Sequence, residues 1–176
     1  MGQDTDRSRK TIIETRKRLR KIFNASKNQE LTKHQILYIF EEIPTFLGCF
    51  GENEVQNLSV VHKPGFFIVN IDSSNDPGSH WIAVGIFKES IEVFDPLGFK
   101  IFQWSRVPCS LLKFIHHHST LRNLVIADRV QSDTSKLCGF YCVHYIFQRQ
   151  FTTLDIISSR FSVDFEENDL LIKSFY

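Results

Sequence analysis

The chain has 176 residues and a mass of 20.6 kDa, with 42% hydrophobic and 23% charged residues and a formal net charge of +1. That size and balance fit one globular domain with its own core and exclude a fibrous or low-complexity chain. No apolar run approaches the ~20 residues that cross a bilayer. The four cysteines show no framework spacing and no N-terminal apolar segment resembles a secretory signal, which argues against a secreted disulfide scaffold.

Charge is unevenly spread. Residues 1–27 hold nine Lys or Arg against Asp4, Asp6 and Glu14, a local +6 that leaves −5 for the rest. Within 9–24, Ile12, Leu19, Ile22 and Phe23 recur at helical spacing between the basic residues. Residues 1–29 therefore read as a basic N-terminal arm, partly helical, that either docks on the body or folds on a partner. Such an arm suits a polyanion such as nucleic acid as readily as it suits solvent. Arg16, Lys17, Arg18, Arg20 and Lys21 are the candidate contacts.

The polar stretch Asn24 to Gln29 reads as a linker, and residues 30–176 as a single domain. Thr32-Lys33-His34-Gln35 has the form of a capping box ahead of Ile36, Leu37, Ile39 and Phe40, with Pro44 closing that helix near Ile43. Thr45 to Pro64 reads as irregular structure with one short helical turn. Phe66 to Ile71 is a continuous apolar strand ended by the turn-rich Ser73-Ser74-Asn75-Asp76-Pro77-Gly78. His80 to Phe87 and Ile91 to Asp95 form a hairpin across Lys88-Glu89-Ser90. Antiparallel pairing brings His80, at the start of the first strand, to the same end of the sheet as Asp95, at the end of the second. Asp95 to Gly98 is a turn, Pro108 to His118 a helix, Asn123 to Ala127 a strand and Asn168 to Phe175 a last helix. The fold class is α+β.

The chemistry gathers around Gln131 to His144, where a polar loop turns at Cys138 into an apolar, buried helix. A cysteine at a helix start meets unpaired backbone N–H groups and the positive end of the dipole, which favour thiolate over thiol. Most intracellular cysteines are small buried hydrophobes, so the rest of the chain must supply a base, an orienting group and an oxyanion donor. Of seven histidines, His80 begins a strand and is paired by topology with a carboxylate that would fix its tautomer. His144, six residues into the helix, reads as structural. The run His116-His117-His118 points its rings in different directions, so no metal site is expected. Gln131 can place an amide N–H beside the thiolate together with the backbone N–H of Cys138, the two donors of an oxyanion hole. Trp81 is a candidate cleft wall. Structural alternatives stand beside these roles: a surface ion pair for His80 and Asp95, and a loop-stabilising amide for Gln131.

Gly78-Ser79-His80-Trp81-Ile82-Ala83-Val84, then Val93-Phe94-Asp95-Pro96-Leu97-Gly98, then Gln131 with Cys138-Gly139, resemble the adenain-type maturation proteases of adenoviruses. These share a superfamily with the SUMO-deconjugating proteases. Pro44-Thr45-Phe46-Leu47-Gly48 and Pro64-Gly65-Phe66-Phe67-Ile68-Val69-Asn70 extend the likeness, which covers roughly residues 31–150. The resemblance implies a papain-like cysteine proteinase fold, a central mixed sheet flanked by helices, with the site in the order His, Asp, Gln, Cys. Carried over, it makes Cys138 the nucleophile, His80 the general base and acid, Asp95 the orienting carboxylate and Gln131 the oxyanion donor, with Trp81 and Gly139 at the substrate cleft. The implied function is a thiol endopeptidase that cuts viral capsid precursors at glycine-containing sites during virion maturation. An isopeptidase for a ubiquitin-like modifier is the alternative, and a nucleic-acid-binding module a third reading. The closest expected sources are virophages of the mavirus kind and Maverick/polinton elements, which places the enzyme in a virion or intracellular virus factory. No cofactor is required for the chemistry. DNA is a candidate activator or tether, no membrane partner is expected, and the chain is expected to be a monomer. Three departures stand out: residues 110–137 lack the cysteine by which the adenoviral enzyme pairs with its activating peptide, the basic arm is extra, and the chain after Phe151 is short.

Overall fold

The computed structural model describes residues 2–26, 30–56, 58, 64–76, 78–98, 107–120 and 122–175, with 2–9 as backbone only. Residues 27–29 of the expected linker, His62, Pro77 and the side chains of Arg7 and Arg9 lie outside the described residues. Chain order is α1 (Gly2–Ser26), α2 (Lys33–Ile39), β1 (Phe46–Phe50), α3 (Glu52–Val55), β2 (Gly65–Asn70), β3 (Trp81–Ile86), β4 (Ser90–Phe94), α4 (Cys109–Ser119), β5 (Asn123–Ile126), α5 (Cys138–Arg149), α6 (Leu154–Ser158) and α7 (Phe165–Ser174). The fold is mixed α+β, as expected.

Five strands lie in the order β1-β2-β3-β4-β5. The outer pairs β1/β2 and β4/β5 are parallel, and β2/β3 and β3/β4 are antiparallel. Side-chain alternation sorts the central strands onto two cores. Phe66, Ile68, Trp81 and Ala83 face α5, together with residues of α1, α2, α6 and α7. Phe67, Val69, Ile82 and Val84 face the other way, onto Val55 of α3 and Leu111 and Phe114 of α4. Because both faces are covered, β2 and β3 are buried along their whole length and read as unbroken apolar runs.

The centre of the first core is α5, whose residues 138–147 are all buried. Its C-terminal end is tied to the sheet by an ion pair. Arg149 Nε and Nη2 each donate to Glu92 at 2.9 Å, and the Tyr145 hydroxyl donates to the same carboxylate at 2.7 Å. The guanidinium also lies 4.1 Å from the Phe87 ring centroid.

The arm docks rather than waiting for a partner. Thr15, Leu19, Ile22 and Ser26 form its buried face, and Phe23 meets Phe140 of α5 edge to face at 5.1 Å. Thr32 does form the capping box, accepting from Gln35 N–H while its own N–H donates to the Gln35 side chain at 2.8 Å. The helix it starts ends at Ile39, earlier than Pro44 suggests, in a turn closed by Ile43 N–H on Phe40 O at 2.9 Å. Phe46–Phe50 is a strand where irregular structure was expected. Its pairing with β2 shifts register between Phe46 and Gly48, and Gly48 has φ 138°, so a bulge hides the strand's alternation. The last helix begins at Phe165 because Asp164 caps it, accepting from Glu166 and Glu167 N–H. The short α6 is a further element that sequence reading did not find.

If α1 is part of the core, Leu19→Ala lowers stability by roughly 2–4 kcal/mol, read as a reduced urea midpoint at unchanged slope; an undocked arm would give no shift.

Candidate active site

Three loops and one helix start converge on the α5 side of the sheet. His80 immediately precedes β3, and its carbonyl accepts Ile71 N–H at 3.1 Å, which ties it to the end of β2. Asp95 immediately follows β4 and is 1% exposed. The hairpin register, with Ala83 opposite Phe94, sets the two beside each other. His80 Nε2 and Asp95 Oδ1 are 2.7 Å apart. The same carboxylate oxygen accepts Leu97 N–H at 2.9 Å, so the turn that follows braces its own carboxylate.

That turn is bonded to the loop carrying Gln131. Pro96 O accepts both Val130 N–H at 2.9 Å and Gln131 N–H at 2.8 Å. Gly98, at φ 65°, allows the close approach: a Cβ there would lie 2.3 Å from Arg129 Cβ. Gln131 is 1% exposed, and its Nε2 donates one hydrogen to Ser135 O at 2.9 Å. Ser135 Oγ accepts Leu137 N–H at 3.3 Å, shaping the entry to α5.

Cys138 is the first residue of α5 and is buried. Its side chain acts together with Asp95 on the His80 ring, favouring the charged imidazolium. Burial pushes the His80 imidazole down, but the bonds and charges of Asp95 and Cys138 outweigh it and raise the ring from 6.5 to about 9. The other two buried thiols are held neutral. Burial pushes Cys49 up to about 12. Cys142, whose Sγ donates to Trp81 O at 3.2 Å, is raised well above its usual value, first by burial and then by nearby negative charge.

The residue after each of His80 and Cys138 packs on the segment leading into α2. Trp81 Nε1 donates to Leu31 O at 2.9 Å. A Cβ at Gly139 would sit 2.9 Å from Leu31 Cβ and 3.2 Å from Trp81 Cδ1. The missing side chain of Gly139 therefore lets α5 pack closely against Leu31 and Trp81. The cleft, of about 520 Å³, is lined by Trp81, Leu31, Lys33, Ser73, Gly78 and Lys136 among others. Leu31 and Pro96, which position the site through main-chain carbonyls, carry no side-chain signal that sequence reading could use.

The remaining candidates lie elsewhere. His144 packs against the Phe175 ring at 4.4 Å, and burial, then Arg160, lowers it to about 4. His118 is buried against Phe114 while His116 and His117 are exposed. Among the described residues, no three His, Cys, Asp or Glu side chains gather where a metal could sit. In the arm, Arg18 is drawn into the fold: it pairs with Glu41 at 3.2 Å and Glu42 at 2.8 Å and lies over the Tyr38 ring. It is thereby withdrawn from the candidate nucleic-acid contacts. Arg16 lies over Phe147 at 5.3 Å, and Lys17 pairs with Glu14. Lys17, Arg20 and Lys21 are exposed.

His80 has its folded-state value raised above 6.5, so its pairing stabilises the fold fully below pH 6.5 and ceases to do so as pH rises through about 9. Its ring protons in an NMR titration are expected to move near pH 9, and in Asp95→Asn near or below 6.5, since burial then acts against a weaker partner. A wild-type midpoint below 7 would contradict the ion-pair geometry.

A comparison with curated protein sequences gives no match. Among solved structures, the ASFV pS273R protease is 20% identical and aligns over 85% of this chain and 68% of its own with a TM-score of 0.53. The SUMO protease Ulp1, in a form with its catalytic cysteine oxidised to a sulfinic acid, is 17% identical over 83% of this chain and 75% of its own, with a TM-score of 0.44. The profile of the adenovirus endoprotease family matches residues 46–159. That match runs through more than half of the chain and includes His80, Asp95, Gln131 and Cys138, so the protein is a cysteine protease belonging to the adenovirus endoprotease family.

Proposed function

We propose that this protease cuts viral capsid precursors next to glycine during particle maturation, with Cys138 as nucleophile, His80 as acid and base, Asp95 as orienting group and Gln131 as oxyanion donor. The observation that carries the assignment is the buried imidazole of His80 held 2.7 Å from the Asp95 carboxylate, with Cys138 also favouring its charged form. The Cys138 thiolate attacks the scissile carbonyl carbon, and the oxygen takes the displaced electron pair facing Gln131 Nε2 and the Cys138 backbone N–H. As the C–N bond breaks, imidazolium His80 gives its proton to the leaving amine. Water then attacks the thioester, His80 takes a proton from it, and the carboxylate product leaves with the thiolate restored. Asp95 keeps the ring in the orientation and tautomer that each transfer needs.

Glycine beside the cut suits a cleft walled by Trp81, since a residue without Cβ passes where a side chain would clash. The viral setting and the glycine preference rest on the family to which the chain belongs. Cys138→Ala is expected to fold with the wild-type unfolding midpoint and to leave coexpressed capsid precursors uncut, with mass spectrometry of new termini as the readout. Retained cleavage would remove Cys138 from its role, and cleavage confined to modifier conjugates would move the enzyme to the isopeptidase class.

The arm offers a way to concentrate the enzyme on packaged DNA, through Lys17, Arg20 and Lys21 rather than Arg18. Changing those three to Gln is expected to reduce the log–log salt slope of duplex DNA binding by about 2–3. An unaltered slope would discard the tether.

A further inference from the structure

Val130 and Gln131 share a peptide unit that is held on both edges. Its N–H donates to Pro96 O at 2.8 Å, and its C=O accepts the side-chain amide of Asn168 at 3.0 Å. Asn168 belongs to the first turns of α7, is 1% exposed, and lies beyond the stretch 46–159 that matches the family. Its Nδ2 donates a second time, to Ser162 O at 2.9 Å, and its Oδ1 accepts Ser162 N–H at 2.7 Å. The Tyr141 hydroxyl also lies 3.3 Å from Val130 O, but its single proton is better placed on Asp169 at 2.7 Å. Asn168 is therefore the principal donor to that carbonyl. The next peptide is held too, with Gln131 C=O accepting Arg129 Nε at 3.0 Å.

A planar peptide bonded through both its N–H and its C=O cannot swing about its flanking Cα atoms. These bonds fix the backbone from which the Gln131 side chain departs, and the bond from Nε2 to Ser135 O holds its amide. Asparagine is a poor helix former, and a buried amide is tolerated only when fully bonded. Asn168 meets that condition by reaching from α7 to the loop beside the site.

We propose that Asn168 is a positioning residue for the oxyanion hole, fixing the Val130–Gln131 peptide so that the Gln131 amide is already in place before substrate arrives. This rests on the reading of Gln131 as oxyanion donor given above. It also gives the C-terminal helix, outside the family's matched stretch, a part in catalysis.

The test compares wild type, Asn168→Ala, Asn168→Asp and Gln131→Ala. Each is measured for kcat and KM on a peptide amide that the wild type cleaves. Each is also measured for inhibition by the aldehyde of that peptide, whose hemithioacetal oxygen occupies the hole. Alkylation of Cys138 by iodoacetamide, followed on its own tryptic peptide, needs the thiolate but not the hole. Both Asn168 variants are expected to lower kcat about tenfold, a part of the 10²–10³ lost with an oxyanion donor. Aldehyde affinity is expected to fall by a similar factor, with KM and the alkylation rate within about twofold of wild type. Asn168→Asp keeps the shape and the acceptor for Ser162 N–H, so it reports on the Val130 contact even if the alanine variant fails to fold. Wild-type kcat and aldehyde affinity in the Asn168 variants, with Gln131→Ala impaired, overturns the proposal. An alkylation rate that falls with kcat marks a general structural role and also overturns it. An unimpaired Gln131→Ala sinks the underlying reading instead.

Discussion

The site depends on the buried contact between His80 and Asp95. Two groups that carry charge are taken out of water there, and burial opposes both. Pairing prevails for the imidazole, which is raised to about 9 in spite of its desolvation. The geometry comes from sheet pairing: β3 and β4 run antiparallel, with Ala83 opposite Phe94, so the residues flanking the two strands meet at one end. A one-residue slip would turn alternate side chains to the opposite face and separate the pair. The apolar residues on both faces of these strands make such a slip costly, so the core that stabilises the sheet also holds the alignment of the site.

Helix α5 brings the fourth element, and it is fixed at each end by different physics. At its start, Gly139 lets the helix approach Leu31 and Trp81 closely, and Cys142 donates to the Trp81 carbonyl. At its end, Arg149 and Tyr145 satisfy the buried Glu92 carboxylate in the middle of β4. The interdigitated packing of α5 and this directional ion pair together hold it in register on the sheet, and the position of Cys138 follows from both.

Much of the site was legible in the sequence, for identifiable reasons. His80 and Asp95 flank two short strands joined by a polar turn, and antiparallel pairing fixes their proximity without further information. Cys138 stands where a polar loop gives way to an apolar run, and the Thr32 capping box is a local device that works without tertiary context. What stayed hidden depends on contacts distant in sequence. The strand Phe46–Phe50 was masked by Gly48 and its register shift. The close approach of Leu31 that the missing side chain of Gly139 permits was hidden as well. Arg18 counted as free positive charge until folding placed Glu41 and Glu42 beside it. The bracing carbonyls of Leu31, Pro96 and Val130 belong to the backbone, which every residue shares.

The packing of Phe23 on Phe140 has a temporal side. The ribosome makes α1 before α5, and Phe140, on which Phe23 packs, emerges more than a hundred residues later. At about 5–20 residues per second, that leaves several seconds in which α1 has α2 beside it but not α5. The nucleophile and the last helix of the core arrive in that final portion. A nascent chain still lacking α5 thus has neither a complete core nor a sulfur to attack with, and hydrolytic capacity appears only when synthesis of the domain is nearly finished.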